Sequence, residues 1–423
     1  MFELPLANPT EPAHPQPKST VEPTTAGRSF VLDGIRGVAI LGILLANLPS
    51  LGAPSLYESL GSASEMSGVD LWVDTLTSVF VTGKFRSLLA ILFGIGLFLQ
   101  YRKRSLVPGN WPGGYLKRTF YLALIGLIHG FLIWFGDILF IYSVAAFCTC
   151  FIVTASERVR KTLFGVFIAL AVVTGLGFLT FIWVAEGLGE DLGTNWGGEY
   201  FTLEFEQRVF GEGSWWEQLG ARSLYFAAMA SSAFLFLAWL LPLFMVGTDL
   251  ARRGFPYDRE RYAPFLRKLA WFGFGVGIPL NLLCLFSLSA MPPLFGQMLA
   301  EFFGGPVLSM GYLALLVALL TRPSLQPLFR PIANVGRCAL TCYLMQSVLS
   351  SIVFYSWGLG WFGRLDRLEL LRIAPLIWLA NIVFATLWLR RYKMGPVEWA
   401  WRSLTEGRVL SNLKSNARAL DAL

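Results

Sequence analysis

Of the two histidines in the chain, His129 falls inside the apolar run GLIHGFLIWFGDILFIYS. An imidazole there is the natural proton acceptor, because its unperturbed pKa alone lies near neutrality. A buried histidine also serves as a plain hydrogen-bonded core residue, and the sequence leaves both roles open. Asp137 follows eight positions later, about 12 Å further along an uninterrupted helix. It is expected to reach His129 only if the chain breaks at Gly136; otherwise the acid that orients the ring comes from another span. Lys84 and Arg86 follow Gly83 inside a second apolar run. Two cations this close need a water-filled cavity, an acidic partner or a bound anion. They suit the phosphate or carboxylate of a ligand, or a structural salt bridge. Asp33 and Arg36 are three residues apart and so neighbours on one helix face. Asn47 shares that face about 16 Å further along the axis. These three read either as a polar stripe or as an ion pair that locks the helix start.

The elements that must position these residues are membrane helices. The 423 residues are 55% apolar and 14% charged, with 35 Phe and 15 Trp, and the mean hydropathy is +0.57. Too little charge remains to cover a soluble surface of that size. Disulfide scaffolds, coiled coils and disordered activators are excluded on the same numbers. Ten spans are expected: 31–48, 72–100, 116–135, 138–156, 162–185, 224–251, 269–290, 299–320, 338–357 and 373–390. Residues 1–27, with six prolines and no apolar run, form a disordered tail. With the N-terminus inside, 26 Lys and Arg fall in cytoplasmic segments or at the span ends that border them, and five in outer segments, as the positive-inside rule requires. The net charge of +7 is therefore topological and implies no nucleic-acid partner. The outer segment 186–223 mixes acids with Trp and Tyr, and reads as an interfacial lid or as a flap for sugars or amines.

Two histidines are too few for a His-built metal centre. The five cysteines lie in or beside apolar spans and read as small hydrophobes. Gly83-Lys84 is followed by Phe, so it opens no phosphate-binding loop, and no Gly-x-Ser-x-Gly elbow occurs. Asn281, Gln346 and Asn381 are expected to hydrogen-bond between helices.

Five runs in order, RSFVLDGIRGVAILGILLANL, VTGKFRSLLAILFGIGLFLQ, LIGLIHGFLIWFGDILFIYS, VGRCALTCYLMQS and GPVEWAWRSLT, resemble the YeiB-like family, the domain of unknown function 418. The resemblance runs from about residue 28 to 407. The first run is also similar to the wider transmembrane acyltransferases, of which the acyltransferase-three family shows an LDGLRG-like start and then an Arg, ten residues and a His, while the heparan-alpha-glucosaminide N-acetyltransferases have Asn there and use a His in the following outer loop. Here Leu32 to Gly37 fit the start and Arg36 the arginine, while Asn47 stands at the histidine position. That departure leaves His129 as the base that would replace it.

The expected fold is an all-α integral membrane protein, a bundle of about ten transmembrane helices with both termini cytoplasmic. Residues 28–407 form the membrane domain and 408–423 a cytoplasmic tail; the setting is the bacterial inner membrane. The resemblance implies an acyltransferase that moves an acyl group from a cytoplasmic donor of the acyl-CoA type to an outward-facing cell-envelope acceptor. In that reading His129 is the base, Lys84 and Arg86 hold an anionic part of the donor or the oxyanion, Asp33, Arg36 and Asn47 shape the path, and Asp137 is a further substrate- or donor-binding position. A transporter or flippase of an anionic or lipid-linked solute would use the same cations. Beyond donor and acceptor, the expected partners are membrane lipids, with no metal. A reporter active only in the cytoplasm should work when fused after Leu423 and fail when inserted near Gly193. A cytoplasmic signal from the second insertion would remove the ten-span topology.

Overall fold

The computed structural model describes residues 29–54, 68–187, 202–231, 233–290 and 298–414, together with Tyr200 and Gly296. The expected tail 1–27 lies outside the described residues. So do Glu190, Asp191, Trp196, Glu199 and Phe201 of the expected outer segment.

All regular elements among the described residues are helices, apart from one antiparallel bridge between Tyr392 and Leu413. In chain order they begin with α1 (Phe30–Gly52), α2 (Gly68–Phe80), α3 (Lys84–Arg104), α4 (Gly113–Leu132) and α5 (Leu139–Ile152). There follow α6 (Glu157–Gly187), α7 (Leu203–Gly211), α8 (Trp215–Ser231), α9 (Ala233–Arg252), α10 (Arg259–Gly275) and α11 (Gly277–Ala290). A π turn, Ala300–Gly304, leads into α12 (Gly305–Leu320). The last four are α13 (Gln326–Arg337), α14 (Ala339–Phe354), α15 (Arg367–Arg391) and α16 (Pro396–Glu406). Their starts carry ordinary caps: Ser29 accepts from Leu32 N at α1, and Asp366 with Glu369 forms a capping box at α15.

Helices cover each expected span, but they are less regular than ten plain crossings. Five are long and apolar enough to cross a membrane, or up to seven if each bent pair counts as one span. The expected span 72–100 is interrupted at residues 81–83, where Gly83 takes φ +79°, a left-handed conformation open to glycine. Span 269–290 is divided between α10 and α11. Span 338–357 is half of a pair bent by 81°. Pro306 sits just after the π turn, in the first turn of α12. Helix α6 is apolar on nearly every side and leaves Val166, Val173, Leu176 and Trp183 exposed. A surface of that kind is stable in lipid and not in water. The molecule is an all-helical membrane protein.

Two helix pairs set the frame, and glycine closes both. A Cβ at Gly37 of α1 would stand 2.0 Å from the Ile332 carbonyl oxygen of α13, and one at Gly336 of α13 would stand 1.8 Å from that of Asp33. Likewise a Cβ at Gly94 of α3 would meet the Phe244 carbonyl of α9 at 2.0 Å, and one at Gly247 that of Ile91 at 2.1 Å. In lipid, where there is no hydrophobic drive between helices, such close backbone approach maximises dispersion contact. Gln346 adds an interhelical hydrogen bond to the Ile40 carbonyl (3.1 Å). Asn281 and Asn381, expected to do the same, donate instead within their own helices, to Gly277 and Ile377.

Gly94→Val or Gly336→Val should therefore force these backbones apart, costing about 1–3 kcal/mol or more, while Gly165→Val, open on all sides, should cost far less. Melting temperatures in detergent would check this; equal melting of all three would refute the close packing.

Candidate functional site

Helix α4 ends at Leu132, and residues 133–138 turn the chain back into α5. This corrects the straight-helix expectation for Asp137. The hairpin returns it to the level of His129, and its Oδ2 lies 2.7 Å from His129 Nδ1. Its other oxygen accepts from Phe140 N at 2.8 Å, so one carboxylate both caps α5 and orients the imidazole. The return is tight. A Cβ at Gly126 would lie 2.5 Å from Phe140 N and 2.7 Å from Asp137 Oδ1, which explains the glycine of the GLIHG run. Both side chains are buried, at 1% and 0% exposure.

With Nδ1 engaged by the carboxylate, the tautomer that fits places a proton on Nδ1 and the lone pair on Nε2. His129 Nε2 has no hydrogen-bond partner. The ring packs on Tyr343 with centroids 5.1 Å apart and on Trp134 at 6.3 Å. An oriented imidazole with a free Nε2 can accept a proton from a hydroxyl or amine.

Two cavities flank this dyad. The larger one, about 420 Å³, is within the usual size of small-molecule sites. Asn47, Arg86, Asp137 and Glu301 contribute to its wall beside Phe85, Trp134, Phe236 and Trp239. The second, about 200 Å³, is lined by Arg36, Arg118, Arg337, Tyr343 and Arg402 among apolar side chains. Ile138 and Tyr142 belong to both walls and so form the partition between them. The Tyr142 hydroxyl donates to the Arg86 carbonyl, and Ile138 N donates to the Tyr343 hydroxyl (3.4 Å). The dyad thus sits against the partition, with Asp137 on one cavity wall and Tyr343 on the other.

The cations of the second run are separated in space. Lys84 is fully buried and donates to the Ser78 carbonyl at 2.5 Å, across the break between α2 and α3. It does not line the larger cavity. Arg86 does, and it pairs with Glu301 of the π turn at 2.6 Å. Of the two readings of these cations, the structure gives Arg86 a salt-bridge partner. Asp33 and Arg36 pair at 3.0 Å, and Arg36 also donates to the Gly336 carbonyl (3.3 Å). That pair fastens α1 to α13. The polar stripe from Arg36 to Asn47 has its two ends in different cavities.

Part of the segment expected as a lid or flap packs into the bundle. Gln218 donates to Ser356 Oγ (2.8 Å), Arg222 to the Phe131 carbonyl (3.4 Å), and Tyr225 to the Tyr200 carbonyl (2.7 Å). Beyond it, Phe226 and Met229 of α8 line the larger cavity.

Sequence reasoning did not single out Glu301, Tyr142, Arg118 or Arg402. Glu301 and Arg118 lie inside expected spans, so their charge alone was a usable signal. Tyr142 and Arg402 gave none, since their roles depend on which helices meet. Among the described residues no group of three or more His, Cys, Asp or Glu could hold a metal ion.

Residues 250–408 match the family described as "Protein of unknown function (DUF418)". The chain is 32% identical over 410 residues to "Uncharacterized protein YeiB" of Escherichia coli, covering 89% of this chain and 96% of that one. It is 28% identical to "Uncharacterized protein YxaH" of Bacillus subtilis, over 92% and 96% of the two chains. It is 26% identical to an "Uncharacterized 39.9 kDa protein in amylase 3'region" of Bacillus acidopullulyticus, over 90% and 94%.

Breaking the Arg86–Glu301 pair should strand a charge, so Arg86→Met or Glu301→Met alone should cost up to about 3 kcal/mol, whereas the double Met variant should recover most of it. Melting of the four proteins would decide; additive losses in the double variant would show that the pair is not coupled.

Proposed function

Because the chain belongs to the YeiB-like DUF418 family, whose relatives above carry no activity in their names, the function must be argued from the site, and we propose that it is a membrane acyltransferase. A donor enters from the cytoplasm by way of the second cavity, and an envelope hydroxyl or amine enters the larger one. His129 Nε2 takes the acceptor's proton as its oxygen or nitrogen attacks the acyl carbonyl. The proton then passes to the leaving thiolate as the tetrahedral intermediate collapses. Asp137 stays ionised and holds Nδ1–H, which fixes the ring and stabilises the imidazolium. The observation that carries this reading is the dyad itself: His129 is oriented through Nδ1, free at Nε2, and set against the partition between two cavities. Trp134 and Tyr343 cover the ring, so substrate reaches Nε2 only when one of them moves aside.

The same reading takes the chain through ten crossings of the bacterial inner membrane with both termini cytoplasmic. Residues 28–407 are then the membrane domain, between tails 1–27 and 408–423. Lys84 and Arg36 act as structural positions, and Asn47 and Arg86 face the acceptor. A second reading, a carrier or flippase of an anionic or lipid-linked solute, is favoured by one observation. The interruption at Gly83 lies against the π turn, with a Cβ at Gly83 2.8 Å from the Glu301 carbonyl oxygen, and broken helices meeting beside a charged cavity suit transport.

Transfer from a labelled acyl-CoA to membrane-extracted acceptors by purified protein would test the reading. His129→Gln keeps a hydrogen-bonding group but no titratable base, and should lower transfer about 10²–10⁴-fold. Asp137→Asn should lower it as well, since the amide can hold the wrong tautomer. Full activity in His129→Gln would end the catalytic assignment, and donor-free flux of a labelled solute would establish the carrier instead.

A further inference from the structure

The larger cavity carries one ion pair on its wall, and that pair is joined at a single point. Arg86 Nη2 lies 2.6 Å from Glu301 Oε1, with the two side chains 29% and 18% exposed. Among the described residues neither side chain makes another hydrogen bond or ion pair. A guanidinium has five N–H donors, and an ionised carboxylate has two acceptor oxygens. Arg86 therefore keeps most of its donors, and Glu301 keeps Oε2, for a group inside the cavity that both line. Asp137 is the other charged side chain on that wall. Its two oxygens are already used by His129 and by the start of α5.

Aromatic rings surround the pair. Phe302 follows Glu301 in the π turn, and its ring packs on Trp239 and Phe236 of α9 at 5.4 and 5.6 Å. All three rings line the cavity, and aromatic faces attract a desolvated ammonium. The Arg86 guanidinium carbon stands 5.8 Å from the Phe236 centroid, so both ends of the pair share this surround. A ligand with net charge is disfavoured here. A lone anion on Arg86 meets Glu301, and a lone cation on Glu301 meets Arg86. Either one also brings an uncompensated charge into an apolar site. A ligand with both charges a few bonds apart adds no net charge and answers the spare groups of each partner. An N–H cation is favoured over a quaternary one, since only the first donates to Oε2. At about 420 Å³ the space also holds an uncharged portion beside such a group.

We propose that the larger cavity binds a zwitterion with a primary ammonium, its anionic group on Arg86 and its ammonium on Glu301 among the rings of Phe236, Trp239 and Phe302. The zwitterion is either the headgroup of a membrane lipid or a small soluble molecule. This deepens the transfer reading by giving the class of the acceptor, and rests on that reading for the acceptor role alone.

The test titrates the full chain, purified in the uncharged detergent dodecyl maltoside, with dihexanoyl-phosphatidylethanolamine and with glycerophosphoethanolamine by calorimetry. Dihexanoyl-phosphatidylglycerol and hexylamine serve as the anion-only and cation-only ligands. Saturable binding of glycerophosphoethanolamine supports a soluble zwitterion, and binding of the lipid alone supports a headgroup. In both cases the parent should prefer the zwitterion to either singly charged ligand by about tenfold or more. Glu301→Gln should turn that preference toward phosphatidylglycerol, and Arg86→Gln should turn it toward hexylamine. Trp239→Leu leaves the ion pair in place and should weaken zwitterion binding about fivefold. The double variant Arg86→Met, Glu301→Met strands no charge and should not bind the zwitterion, so a folding defect in a single variant does not decide the result. The proposal is overturned if neither zwitterion binds the parent, if a singly charged ligand binds it as tightly, or if the double variant binds as the parent does. Binding that survives in a His129→Gln chain without transfer supports the site independently of the catalytic assignment. Transfer by a parent chain that binds neither zwitterion overturns this inference alone.

Discussion

Asp137 holds two structures together with one carboxylate. One oxygen supplies the acceptor that the first turn of α5 needs, and the other fixes the ring of His129. A carboxylate with no exposure is expensive to desolvate unless its lone pairs are used. Here the helix end and the imidazole use them together, so the α4–α5 turn and the geometry of the dyad depend on each other. The carboxylate holds the ring against Tyr343 and Trp134, and the start of α5 fixes Ile138 and Tyr142 as the partition between the cavities. Much of what the site can do chemically follows from that single buried group.

The scaffold around it is held by close backbone contact. The LDGIRG run of α1 meets the VGR run of α13 through Gly37 and Gly336, and the Asp33–Arg36 pair reaches the Gly336 carbonyl across the same junction. Two of the five runs that carry the family resemblance are thus two sides of one helix contact. An arginine near the start of a membrane helix invites a chemical role, yet the nearest use of Arg36 is mechanical. It stands at the wall of the second cavity as well, so the two uses are compatible.

The membrane class, the helical fold and the family were legible because each is written in long stretches: composition, apolar runs and ordered motifs. The residues worth weighing were legible too, since any ionisable group in an apolar run stands out. What could not be read was pairing. Whether Asp137 touches His129 depends on a helix ending at Leu132, and apolar periodicity runs straight through that point. Lys84 and Arg86 looked like one cation pair from their spacing. The break at Gly83 turns Lys84 toward the Ser78 carbonyl, while Arg86 finds an acid some two hundred residues away. Local sequence carries no record of a partner that distant, and the same holds for Arg118 and Trp401.

The hairpin of α4 and α5 also bears on how the protein is made. Helix α5 has 14 residues, about 21 Å of helix against about 30 Å of hydrocarbon. Alone in a bilayer it would leave both the His129 ring and the Asp137 carboxylate to face lipid from neighbouring segments. Once α4 and α5 lie side by side, each of these groups satisfies the other and the polar load falls. The favourable unit of membrane insertion is therefore the hairpin and not either helix, so the contact between His129 and Asp137 serves the making of the protein as well as its finished form.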